Sequence, residues 1–254
     1  MDPSSFFPIL SGMLGGAASA GVFKGPIQTV EDWWYVNFGH TTNEKAEMLR
    51  AKHHANIEAY KNQLLKEASS INPENLKEPE LKILGPALEA SKYYIDDKEL
   101  RGMFAKLIAS SMDHSKNSIV HSSFIELIKQ MTPLDAQNLS IIYKYKEVPI
   151  MDLTTRADTE ANTLINNYRH AFLSNPYCKD INLNSSSLDN LARLGLIENT
   201  YTEWFTESLY EKFYIHPLFS EFDFKNSFKR RDQSIALGKS KVTAYGRNFC
   251  ATCL

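Results

Sequence analysis

With 254 residues, 43% hydrophobic and 23% charged, the chain has the composition of a folded soluble protein and enough length for one large or two modest domains. A formal net charge of -2 argues against a protein that coats nucleic acid over its whole surface, although it leaves room for a local basic patch. Three cysteines, Cys178, Cys250 and Cys253, give an odd count with two crowded at the C-terminal end, which fits a reducing cytoplasm and argues against a disulfide framework.

No charged side chain lies between Asp2 and Lys24, and the run FFPILSGMLGGAASAGVF, Phe6 to Phe23, is long enough to raise a membrane segment. It makes a poor spanning helix: five of the first 25 residues are glycine, and Pro3 and Pro8 interrupt its start. No basic residue precedes it, so removal as a signal peptide is not expected, even though Ala18-Ser19-Ala20 looks like a cleavage site. Gly12, Gly16 and Ala20 recur every four residues, and a helix here would present a smooth stripe to another helix, in lipid or in a protein interface. Thr29 caps a following helix in which Trp33, Trp34 and Tyr35 cannot all face one side. Phe6, Phe7, Gly12, Gly16, Ala20, Trp33 and Trp34 are therefore the candidates for membrane or oligomer contact.

A long amphipathic helix is expected from Asn43 to Ser69, with Ala46, Leu49, His53, Ile57, Tyr60 and Leu64 three or four residues apart. At 1.5 Å per residue it would run about 40 Å. His53 and His54 point about 100° apart on it and lack further ligands at helical spacing, so they make no metal site. Pro73 and Pro79 mark helix entrances, and Leu81, Leu84 and Leu88 supply one apolar face. Asp96 and Asp97 open the most regular helix, where Leu100, Met103, Phe104, Leu107, Ile108, Ser111 and Met112 face the core and Asp97, Glu99, Arg101 and Lys106 face away. Phe124, Ile125, Leu127, Ile128 and Met131 form a third apolar segment, and Thr132-Pro133 starts the next helix with Asp135 in capping position.

Beyond Tyr145 the landmarks thin, and one helix is expected near Asp158 to Phe172. From Asn184 a capped helix turns Leu188, Leu191, Leu194 and Leu196 inward, stops at Gly195 and passes into a strand. Two strand-like runs follow, SLYEKFYIHPLF and SIALGKSKV, before Thr243 caps a closing helix.

Through NPENLKEPELKILGPALEAS, DDKELRGMFAKLIASSMD, FIELIKQMTPLDAQNL, LARLGLIE and KVTAYGRNFCATC the chain resembles the Abi-alpha (abortive infection alpha) family of bacterial proteins, over roughly half its length. Residues 146–184 and 219–233 depart from that pattern. The resemblance implies a part in defence against phage and carries no catalytic residues.

The order of elements from Thr132 to Leu254 also resembles a winged-helix unit. Between Lys225 and Arg247 stand seven basic residues against one acid, a local excess of six positive charges. Bound to phosphates through four or five of them, the chain would lose affinity with salt at a logarithmic slope of about -4. Nucleic-acid candidates are Arg193, Lys229, Arg230, Arg231, Lys239 and Lys241. The recognition helix offers only Arg193 with Asp189 and Asn190, which is thin for reading bases, so any such contact would be non-specific. One CxxC, at Cys250 and Cys253, lacks a second pair for zinc, and no P-loop, nucleophile elbow or HExxH is present.

The expectation is a mainly α protein: a Gly-rich and Trp-rich segment over 1–42, a helical bundle over 43–131 and a small winged-helix-like α+β part over 132–254. It would act without catalysis, cofactor or metal as an effector or interaction module. Its partners would be a second copy, another defence protein or a membrane, from a cytoplasmic location; the alternative is a nucleic-acid-binding regulator using the basic wing.

Overall fold

The fold is that of a computed structural model, which describes residues 47–156, 164–222, 224 and 233–254. The expected contact residues Phe6, Phe7, Gly12, Gly16, Ala20, Trp33 and Trp34, and the basic residues Lys229, Arg230 and Arg231, lie outside the described residues. Two compact units are present: the described residues up to Pro133 with Asn248–Leu254 make one, and Leu134–Arg247 the other.

In the first unit, helices α1 (Glu47–Ser69), α2 (Leu81–Ser91), α3 (Lys98–Ser111) and α4 (Ser123–Lys129) follow one another. Eleven of the 14 residues of α3 are buried, which makes it the helix the others surround. The expected stripe is all inside, from Leu100 at 1% exposure to Met112 at 1%. Arg101 corrects the reading: it is buried rather than outward, because its Nη1 donates to the Ile95 carbonyl at 2.8 Å and its alkyl stem packs. Leu81 corrects it in the other sense, 58% exposed in the first turn of α2 while Leu84 and Leu88 are buried. From α1, Tyr60, Leu64 and Ala68 enter the core, and Gln63 lies so close over Gly102 that a Cβ there would sit 2.9 Å from its amide nitrogen. Asn248–Leu254 belong to the same core: Phe249 meets Phe124 edge-on at 5.2 Å, and Ser110 Oγ donates to the Thr252 carbonyl at 2.9 Å.

The second unit is built on a four-stranded antiparallel sheet of order β2-β1-β4-β3, with β1 Glu147–Arg156, β2 Leu164–Ala171, β3 Ile197–Thr200 and β4 Gln233–Val242. Helices α5 (Pro133–Tyr145) and α6 (Ile181–Arg193) flank the β1–β2 pair in the chain. β1 and β4 pair from Glu147↔Lys241 to Thr155↔Gln233. This register puts Val148, Ile150 and Asp152 on one face with Ser240, Gly238 and Ala236, and Met151 and Leu153 on the other with Leu237 and Ile235. Pro149 is tolerated inside β1 because pairing with β2 begins only at Met151, so no ladder bond on that side is lost.

Two expectations fail here. From Leu164 the segment expected as a helix is the strand β2. The run SLYEKFYIHPLF is not a strand but three short helical pieces, Glu207–Tyr210, α7 (Glu211–Tyr214) and Pro217–Phe219, within the long connection from β3 to β4. Tyr210, Phe213 and Phe219 from these pieces, and Phe222 after the last of them, pack with Met151 and Leu153. The strand β1 had no counterpart among the expected elements, and α6 starts at Ile181, ahead of the expected Asn184. Asp180 caps α6 by accepting from the backbone of Asn182 and Leu183 at 2.9 and 3.1 Å. Gly195, at φ 73°, ends it, with Leu196 N–H donating to the Leu191 carbonyl and Gly195 N–H to that of Ala192. Thr243 caps the final helix α8 (Ala244–Cys253), its Oγ1 accepting from Gly246 N–H at 2.8 Å.

Candidate functional site

Three of the basic candidates lie on described elements, and each is already engaged by neighbours in the second unit. Arg193, in the last turn of α6, donates from Nη2 to Asn190 Oδ1 at 2.8 Å, while Asn190 Nδ2 donates to the buried Asp135 at 3.0 Å. Lys239 on β4 is held between Glu147 at 3.0 Å and Glu203 at 2.9 Å and lies over the Phe205 ring. The Glu203 and Glu147 carboxylates raise the Lys239 ammonium above its ordinary value, and Lys239 in turn lowers Glu203. Lys241 faces Glu198 at 3.6 Å and Glu203 at 4.0 Å. The positive charge of β4 is thus balanced where it stands. Along α6 the remaining reader, Asp189, points to His170.

His170 marks a constellation that the sequence did not announce. Met151 pairs with Ala171 and Leu153 with Tyr168, so Arg169 and His170 together oppose the single residue Asp152 in a β-bulge. There His170 takes φ 48°, a left-handed conformation uncommon for a side-chain-bearing residue. Its backbone N–H donates to Asp152 Oδ1 at 2.7 Å, and its Nδ1 lies 2.7 Å from the Tyr201 hydroxyl. Tyr201 donates its own proton to the same Asp152 oxygen, and its ring stacks on the imidazole with centroids 5.7 Å apart. On the far edge of the ring, Nε2 is 3.3 Å from Asp189 Oδ1 of α6.

Glycine makes room for this arrangement. A Cβ on Gly238 would fall 2.5 Å from the Tyr201 ring and 2.6 Å from the Thr200 carbonyl, so only glycine lets the phenol lie against β4. Burial, then the Asp152 hydrogen bond, pushes the Tyr201 phenol far above its ordinary value. Tyr201 therefore keeps its proton and serves as a fixed donor to Asp152. Nothing in the sequence marks His170, because a bulge leaves no periodic signal by which to find it.

The other polar cluster of this unit is a buried amide network. Asn138 Nδ2 donates to Asn184 Oδ1 at 3.2 Å and to Ser187 Oγ at 3.0 Å, and Asn175 Nδ2 donates to Asn138 Oδ1 at 2.7 Å. It fastens α5, α6 and the loop before α6 to one another. In the first unit a shallow groove of about 320 Å³ runs between α2 and α4, lined by Pro86, Ala90, Tyr93, Tyr94 and Ile125 with Glu89, Glu126 and Lys129 at its rim. Cys250 and Cys253 are both 1% exposed and carry no partner cysteine. Among the described residues no group of three or more His, Cys, Asp or Glu is placed to hold a metal ion, and no helix is long and apolar enough to cross a membrane.

A model of the family described as abortive infection alpha matches residues 52–253. Among solved structures, a protein from the hydrocarbon-degrading marine bacterium Alcanivorax borkumensis SK2 is similar at 14% identity over 55% of this chain and 94% of its own. Its TM-score of 0.33 is too low for that likeness to bear on the argument. No curated protein matches the chain.

Proposed function

The chain belongs to the abortive infection alpha family, and from that membership we propose that it is a non-catalytic component of bacterial anti-phage defence, an effector or interaction module in the cytoplasm. Its contact with a membrane, a second copy or a partner defence protein runs through the N-terminal segment that includes Phe6, Phe7, Gly12, Gly16, Ala20, Trp33 and Trp34. The observation that carries this reading is the charge-free run from Asp2 to Lys24, with small residues every fourth position, joined to a body whose described basic candidates are engaged internally. In this reading the four-stranded sheet with α5 and α6 is a scaffold, since Lys239 and Lys241 are matched by Glu147, Glu198 and Glu203.

Flotation with phospholipid vesicles, run beside mass measurement in solution, tests it. The full chain is expected to float or to form a multimer, and a chain starting at Thr29 to do neither. Identical behaviour of the two would refute the part assigned to Phe6, Phe7, Gly12, Gly16 and Ala20.

A further inference from the structure

The face of the sheet that carries Asp152 and Gly238 also carries Ser240 and Asn199. Ser240 of β4 stands opposite Val148 of β1 and Asn199 of β3, so the three side chains share that face across adjacent strands. Two residues further along the strands, on the same face, come Ile150 on one side and the pair Ile197 and Val242 on the other. Val148, Ile150, Ile197 and Val242 are all buried, and Ser240 is 0% exposed beside them. A hydroxyl in such aliphatic surroundings is unfavourable unless it is hydrogen-bonded. Yet Ser240 Oγ and Asn199 Oδ1, both shut off from solvent, bond neither to each other nor to any other group among the described residues. Two orphaned oxygens therefore meet at one cross-strand pair.

We propose that Ser240 and Asn199 form a binding site for one internal water molecule, which bridges Ser240 Oγ to Asn199 Oδ1 and so fastens β4 to β3 through their side chains. The atoms select this ligand. Ser240 has a single hydroxyl proton to give and Asn199 Oδ1 can only accept, while a water accepts from the first and donates to the second. Buried waters make roughly two to four such bonds, and they are the usual partners of buried polar atoms that the chain leaves unpaired. A metal cation is the wrong ligand for the pair, because both oxygens are neutral and the neighbours Val148, Ile150, Ile197 and Val242 supply no carboxylate. The bridge also accounts for a serine in the middle of β4, where the neighbours on its face would otherwise favour valine or isoleucine.

A high-resolution crystal structure of the full chain, read together with urea unfolding of Ser240→Ala, tests the site. A water peak within about 3 Å of both oxygens is expected. With the bridge in place, Ser240→Ala removes one of its two anchors and leaves a buried acceptor or water unsatisfied, so the unfolding constant should rise about tenfold. Without the bridge, the same variant merely deletes an orphaned hydroxyl, and the chain unfolds no more readily than before. Should the variant fail to fold, the density of the unaltered chain decides alone. A direct bond from Ser240 Oγ to Asn199 or to a backbone carbonyl, no water at the pair, or a Ser240→Ala chain as stable as the parent would each overturn the proposal.

Discussion

Cys250 and Cys253 show how far a residue's surroundings can change its meaning. As text they form a CxxC; in the fold they are core side chains, with Phe249 packed beside them in sequence. Burial pushes the Cys253 thiol up to about 12 from an ordinary 9.0, and raises Cys250 as well. Because the folded state holds these protons more tightly than the unfolded chain, their contribution is fully present below about pH 9 and is lost as pH rises toward 12. Urea unfolding should therefore show stability falling as pH passes 9, before the tyrosines add their own loss above 10. Cys250→Ala with Cys253→Ala should flatten the curve between 9 and 10, and an unchanged slope would mean that the thiols are not buried as described. The same dependence on surroundings governs Arg101, whose charge suggested an outward position until the Ile95 carbonyl supplied a partner inside.

At the scale of elements, the body and the stop of α6 were legible, while its start lies at Ile181 and not at the expected Asn184. Leu188 and Leu191 are buried while Leu183 in the first turn is exposed, Gly195 supplies the left-handed stop, and Asp180, not picked out in the sequence, accepts two orphan N–H groups. Asp180→Ala should cost about 1 kcal/mol, read as a lower urea midpoint with an unchanged m value. A loss below the error of the measurement would show the cap to be idle. β2 misled for a physical reason: Ile165, Tyr168 and Phe172 have helical spacing, and Tyr168 and Ala171 do share a face although three residues apart. In a regular strand they would face opposite ways; the extra residue of the bulge at His170 brings them together. The segment Ser208 to Phe219 misled in the opposite sense. Its dense aromatics suggested a strand, yet Tyr210 and Phe213 are one helical turn apart, and both lie on the sheet beside Phe219.

For the whole molecule, the helical scaffold and its family were readable from residue spacing and motif, because repeated burial of leucine, isoleucine and phenylalanine leaves a periodic trace. The His170 constellation was not, since it joins four residues spread from Asp152 to Tyr201 through a sheet register that no local pattern encodes. Charge behaved likewise. Seven basic residues near the C-terminal end looked like one patch, whereas Lys239 and Lys241 find their counter-charges on Glu147, Glu198 and Glu203, brought in from β1, β3 and the loop after it. What distinguishes the two accounts of function is therefore which end of the chain defence requires. The most direct measurement is phage yield from bacteria carrying the chain with its neighbouring genes, comparing the full chain, a chain starting at Thr29, and the variant Lys229→Ala, Arg230→Ala, Arg231→Ala. Removing residues 1–28 is expected to restore phage yield while the triple variant protects like the full chain; protection that survives the truncation and is lost in the triple variant would contradict a role for the N-terminal segment.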